Sequence, residues 1–183
     1  MPLTTSVYIA ASLDGFIARE DGDIDWLAAG DRGTGDPSED YGYAAFFSTV
    51  DVMVMGRGTY EKVLTFDGWP YGKTPVSVLS SRPLEIPGHV ADTVHATTAS
   101  PREIVDELAA QRHRHAYIDG GRTIQGFLAA GLLDRLIITR IPILLGSGRP
   151  LFGAVPADIR LRHARTDAFS SGLVQSEYEV LRG

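Results

Sequence analysis

Three short segments combine glycine or serine with arginine: Gly56-Arg57-Gly58-Thr59, Ser80-Ser81-Arg82 and Gly120-Gly121-Arg122-Thr123. Glycine lets the backbone approach a ligand closely, a helix opening at such a turn leaves its first amides unbonded, and arginine adds a planar fork of donors. That is the composition of an anion site. Each segment alone has an ordinary alternative, since Gly-Gly before a helix makes a tight turn and Ser-Ser-Arg-Pro makes a solvated loop. Together they fit a dinucleotide, with its pyrophosphate on helix N-termini and a ribose phosphate on the Ser/Arg loop. The fingerprint GxGxxG is absent, so such a ligand would be held in another way.

Other reactive side chains are less promising. The chain has no cysteine, which excludes a disulfide framework, a thiolate nucleophile and cysteine-bound zinc or iron–sulfur centres. No Gly-x-Ser-x-Gly elbow occurs, so Ser80 and Ser81 are not read as nucleophiles. His113-Arg114-His115 lacks a third histidine or a carboxylate beside it and reads as a solvated connection; no metal is expected. Asp14 is a candidate substrate contact, although Asp-Gly is also a common way to turn a chain. Trp26, Trp69 and Tyr71 either line a pocket or plug loop contacts.

The three arginine segments need elements to bring them together. Residues 6–11 form a β-branched and aromatic run that predicts a strand ending at Ser12-Leu13-Asp14-Gly15. Residues 51–55 predict a second strand, stopped by Gly56 and followed by a short helix from Thr59 to Leu64. Residues 74–79 predict a third strand ended by Ser80-Ser81-Arg82-Pro83, and 90–96 a weaker one. Ser100-Pro101-Arg102-Glu103 is a capping box with proline at the first helical position, and Ile104, Val105, Leu108 and Ala109 form the stripe behind it. Residues 116–118 predict a strand broken by Asp119-Gly120-Gly121, after which Thr123 opens a helix carrying Ile124, Phe127 and Leu128.

A helix over 41–49 follows a long loop, 21–40, rich in glycine and aspartate. Residues 136–139 and 143–145 are strand-like runs separated by Pro142, and 173–181 predicts a terminal strand paired with 159–168 across Ser170-Ser171-Gly172. The alternation predicts an α/β fold: a mixed, mainly parallel sheet flanked by crossover helices and closed by an antiparallel C-terminal hairpin. In such sheets ligands bind beyond the carboxyl ends of the strands, where all three segments fall.

At 183 residues, with 44% hydrophobic and 22% charged residues, the chain has the size and composition of a single domain. The net charge of −6 argues against a nucleic-acid surface, and no segment supplies a basic stripe. The start, MPLTTSVYIAAS, lacks a basic region ahead of an apolar run, and 18 consecutive apolar residues occur nowhere. A cytoplasmic location without a membrane partner is expected.

The segments 10–18 (AASLDGFIA), 54–61 (VMGRGTYE), 78–83 (VLSSRP) and 118–123 (IDGGRT) resemble, in order and spacing, successive motifs of the dihydrofolate reductase superfamily. Residues 12–15 (SLDG), 131–136 (GLLDRL) and 142–152 (PILLGSGRPLF) are more narrowly similar to the bacterial riboflavin-biosynthesis reductase domain, the C-terminal half of the bifunctional deaminase–reductase. The resemblance covers nearly the whole chain. It implies a dihydrofolate reductase-like sheet with NADPH across the strand ends and a homodimeric assembly.

Carried onto this chain, the resemblance implies that Gly56, Arg57 and Thr59 hold phosphate and that Leu79, Ser80, Ser81 and Arg82 read the 2′-phosphate side. Gly120 and Gly121 would pass close to the pyrophosphate, Arg122, Thr123 and Ile124 would continue that contact, and Ala11 and Ile17 would lie near the nicotinamide. The folate enzymes place an acid after a loop tryptophan; after Trp26 the one matching position is Asp31, which stands as the candidate proton donor, with Trp26 and Asp14 toward the substrate. Asp119 and Ile124 depart from the glycine and the aromatic residue common there.

The reading is an NADPH-dependent reductase of a small heterocycle, resembling either 5-amino-6-(5-phosphoribosylamino)uracil or a pterin or folate. The alternatives are a protein of the same fold that binds NADPH and reduces nothing, and a purely structural domain, which would leave the three anion segments without a purpose.

Overall fold

The computed structural model describes residues 2–27 and 39–182. Along them run β1 (Thr4–Ser12), β2 (Phe16–Ala18), α1 (Tyr43–Phe47), β3 (Val52–Gly56), α2 (Arg57–Val63), β4 (Val76–Leu79), β5 (Val94–Thr97), α3 (Pro101–Ala110), β6 (His115–Asp119), α4 (Gly121–Ala129), β7 (Arg135–Ile141), β8 (Arg149–Pro150), β9 (Leu161–Ala168) and β10 (Val174–Val180). The main sheet has the order β5-β4-β3-β6-β1-β7-β10-β9. Strands β5 through β7 in that order are parallel, and β10 runs antiparallel to both β7 and β9. This is the mixed, mainly parallel sheet with an antiparallel C-terminal hairpin that the sequence predicts.

The period of two along each strand sorts side chains between two cores. Val7, Val54, Ile118 and Leu136 face α3 and α4, meeting Ile104, Leu108, Ile124 and Phe127. Their neighbours Met53, Met55, Tyr117 and Ile137 face the other way, onto Phe46 of α1 and Tyr60 and Val63 of α2. Helix α3 starts as predicted: Glu103 N–H donates to Ser100 Oγ at 3.4 Å, and Ser100 N–H donates to Glu103 Oε2 at 2.7 Å.

Two features depart from the sequence reading. Residues 143–145 are not a strand: Pro142 has no N–H to extend the ladder, and the amides of Leu145 and Gly146 turn to the Asp14 carboxylate at 3.2 and 2.7 Å instead. A separate two-stranded ribbon joins β2 to β8, pairing Ala18 with Arg149 and Phe16 with Pro150. Strands of three and two residues are too short to leave a periodic signal. Among the described residues no helix is long and apolar enough to cross a membrane.

Candidate functional site

Strands β4, β3 and β6 are parallel neighbours, with Gly56 in register with Leu79 and Met55 with Asp119. Their carboxyl ends therefore emerge side by side, and all three arginine segments share one edge of the sheet. Gly56 and Gly120 are the N-cap residues of α2 and α4, and neither provides a capping side chain. The first amides of α4, a nine-residue helix, are thus left to whatever lies at the edge.

The two helix starts interlock. A Cβ on Gly120, at φ +91°, would overlap Thr59 Oγ1, and a Cβ on Gly56 would come within 3.0 Å of Thr123 Oγ1. Each threonine occupies the room that the opposite glycine leaves empty. A Cβ on Gly121 would stand 3.0 Å from Ile17 Cδ1 and 3.1 Å from the Pro150 carbonyl oxygen, so the β2–β8 ribbon roofs the start of α4.

Arg57 links two of the loops: Nε donates to Glu61 Oε1 at 2.6 Å and Nη1 to the Pro83 carbonyl at 3.0 Å. It is committed partly to holding the Ser80 loop in place. Within that loop Ser80 Oγ donates to the Arg82 carbonyl at 2.7 Å and accepts from Arg82 N–H at 3.3 Å, so this hydroxyl shapes the loop. Ser81 and Arg82 are exposed, and with Leu84, Ala96, Thr97 and Thr98 the loop lines an open groove of about 450 Å³. Arg122 is exposed and Thr123 buried.

Some candidates serve the fold. Ile124 is 0% exposed and packs into the core with Phe127, so its side chain is no ligand contact. Ala11 is likewise buried, which leaves its backbone to line the edge. Trp26 is 1% exposed and wedged against Ile141 and Leu173, packing the loop against the sheet. Asp14 accepts from Ser12 Oγ at 2.6 Å as well as from Leu145 and Gly146, and the Ser12 hydroxyl is the main reason its pKa is lowered. It ties the β1–β2 turn to the 143–146 loop. Asp31 lies outside the described residues.

The acid that sequence reasoning missed is Asp119. It ends β6 one residue ahead of the glycine pair and, by strand alternation, faces the α1 side with Tyr117. Burial drives its pKa up to about 6, opposed by the Gly120 N–H that donates to Oδ1 at 2.8 Å. Around it stand phenols that titrate late: burial first and the Asp119 charge second raise Tyr43 to about 12 and push Tyr71 and Tyr117 up as well. Tyr43 stacks on Phe47, and Trp69 meets Tyr71 edge-on. A carboxyl half protonated near pH 6 is thereby set in an aromatic surround at the mouth of the glycine cradle. Reading Asp119 only as a turn residue concealed it; an acid where related chains carry glycine was the available signal.

At the opposite end of the sheet, Thr49, Asp51, Arg112, His113 and Arg114 line an open depression of about 640 Å³. Asp51 there serves the fold, accepting from the amides of Arg114 and His115, and the neighbouring His115 ring bonds to Ser6 and Thr49.

Sheet order, glycine cradle and antiparallel terminal strands define a dihydrofolate reductase-like domain of the riboflavin reductase type. The chain matches the RibD C-terminal domain over residues 5–175, and it belongs to that family. It is 37% identical over 181 residues to the uncharacterised protein YwjB of Bacillus subtilis (strain 168), an alignment covering 97% of this chain and 98% of that one. Among solved structures, a putative riboflavin biosynthesis protein from Shewanella sp. PV-4 superposes with a TM-score of 0.90 at 40% identity, covering 98% of this chain and 100% of the other. The diaminohydroxyphosphoribosylaminopyrimidine deaminase/5-amino-6-(5-phosphoribosylamino)uracil reductase of Thermotoga maritima shares the fold, with a TM-score of 0.73 at 14% identity over 98% of this chain and 57% of that chain.

Proposed function

We propose that this protein is an NADPH-dependent reductase of a small heterocycle, either a ribosylaminopyrimidine of the 5-amino-6-(5-phosphoribosylamino)uracil kind or a pterin. The observation that carries the reading is the position of Asp119, a carboxyl with a pKa near 6 set between the cofactor cradle and an aromatic wall. Reduction of a C=N or C=O bond consumes one hydride and one proton. NADPH, when bound, supplies the hydride. Asp119 is the proton source at the ring atom beside the reduced carbon, and its raised pKa keeps that proton available near neutrality. This favours a reductase over a protein that only binds the dinucleotide.

The donor set fits the dinucleotide. The α4 amides from Gly121 to Thr123, with Gly56, Arg57, Thr59 and Arg122 beside them, suit a pyrophosphate. Ser81 and Arg82, exposed on the groove, suit the 2′-phosphate; Ser80 lines the groove with them, directly after Leu79 at the end of β4. The resemblance assigns the nicotinamide end to Ala11, through its backbone, and to Ile17, which packs over Gly121 at the start of α4. Tyr43 and Tyr71 form a flat surround suited to a heteroaromatic ring. The dimer expected from resemblance is supported by β9, a sheet-edge strand exposed along all eight residues; sedimentation at micromolar concentration as a monomer would remove it.

Fluorescence titration with NADPH and NADH, then NADPH oxidation with each substrate class, tests the proposal. Tighter binding of NADPH and turnover of one class is the expected result. Binding of neither dinucleotide would overturn it, and binding without turnover of either class would reduce it to cofactor binding alone.

A further inference from the structure

One cation at the cradle has no part in the contacts assigned above. Arg149, on β8, belongs to none of the three arginine segments, yet its guanidinium lies at their edge. A Cβ on Gly22 would stand 3.0 Å from Cζ, Nη1 and Nη2 alike, so the guanidinium lies flat over that glycine, whose φ of +93° already disfavours a side chain. A Cβ on Gly58 would be 3.9 Å from Nη1. The neighbouring residue, Pro150, places its carbonyl 3.1 Å from where a Cβ on Gly121 would be. The backbone of β8 therefore lies on the start of α4 while the side chain reaches across to Gly58, bridging the two phosphate loops.

The guanidinium is also available. Nε donates to the Glu20 carbonyl at a long 3.3 Å, and among the described residues Nη1 and Nη2 have no acceptor. Of the carboxylates in the loop after β2, Asp23 pairs with Lys62 at 3.1 Å and Asp25 with Arg19 at 2.6 Å, and among the described residues none pairs with Arg149. A planar fork with two free ends, held over a glycine cradle by a glycine on one side and a backbone carbonyl on the other, is built to take an oxyanion bidentately.

The geometry points to Arg149 as a clamp on the pyrophosphate of the dinucleotide, closing from the β2–β8 ribbon over the cradle of Gly56–Thr59 and Gly120–Thr123. The inference rests on the NADPH reading above. Arg149 also ties the ligand to the loop after β2, because the same guanidinium lies on Gly22 and bonds to Glu20.

The test is titration of NADPH and of adenosine 2′-monophosphate, which lacks the pyrophosphate, against wild type, Arg149→Gln, Arg149→Lys and Gly22→Ala. Arg149→Gln should weaken NADPH about tenfold or more, the scale of one charge-assisted contact, and leave adenosine 2′-monophosphate unchanged. Arg149→Lys should fall between, keeping charge without the fork. Gly22→Ala, which drives a methyl into the guanidinium, should reproduce part of the loss. Wild-type affinity for NADPH in Arg149→Gln, with wild-type melting, would overturn the clamp and leave the reductase reading intact, as would an equal loss for both ligands. Failure of the wild type to bind either dinucleotide would sink the reductase reading and the clamp with it.

Discussion

Thr59 of α2 fills the space above Gly120, the N-cap of α4, so closely that a methyl at position 120 would overlap its hydroxyl. The two loops that would share the pyrophosphate are thus packed as one unit, and Thr123 over Gly56 repeats the arrangement in the other direction. Gly120→Ala meets both the overlap and a backbone at φ +91°, ψ +135° that side chains rarely adopt. It should cost about 1–3 kcal/mol of stability and lower NADPH affinity with it. Thr59→Ala in the same background should recover the steric part and leave the backbone strain. Denaturant melts of wild type, the single variant and the double variant decide, and a Gly120→Ala protein as stable as wild type would mean that the helix starts do not interlock.

The Ser80 loop separates a shaping residue from a reading one. Arg82→Ala should weaken NADPH by about 1–3 kcal/mol and leave NADH where it was, because only the 2′-phosphate is lost. Ser80→Ala removes the hydroxyl that bonds both ends of Arg82, so it should speed amide exchange at Arg82. Equal losses of NADPH and NADH in Arg82→Ala would take the 2′-phosphate away from this loop.

Asp14 tests the reassignment of a candidate substrate contact to structure. Its pKa is lowered first by the Ser12 hydroxyl and then by the Gly146 and Leu145 amides. A lowered folded pKa stabilises above the ordinary carboxylate range, and that support is lost as pH falls through the folded value. Asp14→Ala should raise hydrogen exchange at Leu145 and Gly146 at neutral pH and remove this acid-dependent loosening, with little change in substrate KM. A large KM change with unaltered exchange would restore Asp14 to the substrate.

Much of this was legible in the chain because the carriers were local. Gly56-Arg57 and Gly120-Gly121 announce strand-to-helix turns and Ser80-Ser81-Arg82 a strand end, and parallel topology places all three at one edge. The capping box at Ser100 depends on residues three apart and was fully visible. What stayed hidden depends on distant partners. Arg149 meets Gly22 and Gly58 only through a ribbon of three- and two-residue strands, and Asp14 stops the 143–146 run from becoming a strand across more than 130 positions. Trp26 looks the same in sequence whether it lines a pocket or plugs one, and its burial against Ile141 and Leu173 is a tertiary fact.

Asp119 carries the sharpest prediction, because its chemical role and its cost to the fold point in opposite directions. Its folded pKa, about 6, lies above the 3.8 of a free aspartate. The folded state therefore holds the proton more tightly than the unfolded chain, and stability attributable to this group falls as pH rises from about 4 through about 6. Above that window the burial of the charge costs up to about 3 kcal/mol. Asp119→Asn should be more stable than wild type at pH 7 by an amount approaching this, with the difference vanishing near pH 4. The same variant should lose about a hundredfold or more in kcat for want of the proton donor, and wild-type kcat/KM should decline as pH rises through about 6 while that of Asp119→Asn stays flat. Melts across pH 4–8 and pH–rate profiles on the two proteins measure both effects. A variant that is less stable at neutral pH and retains its turnover would show that Asp119 is a structural hydrogen-bonding residue, and the proton would have to come from elsewhere in the site.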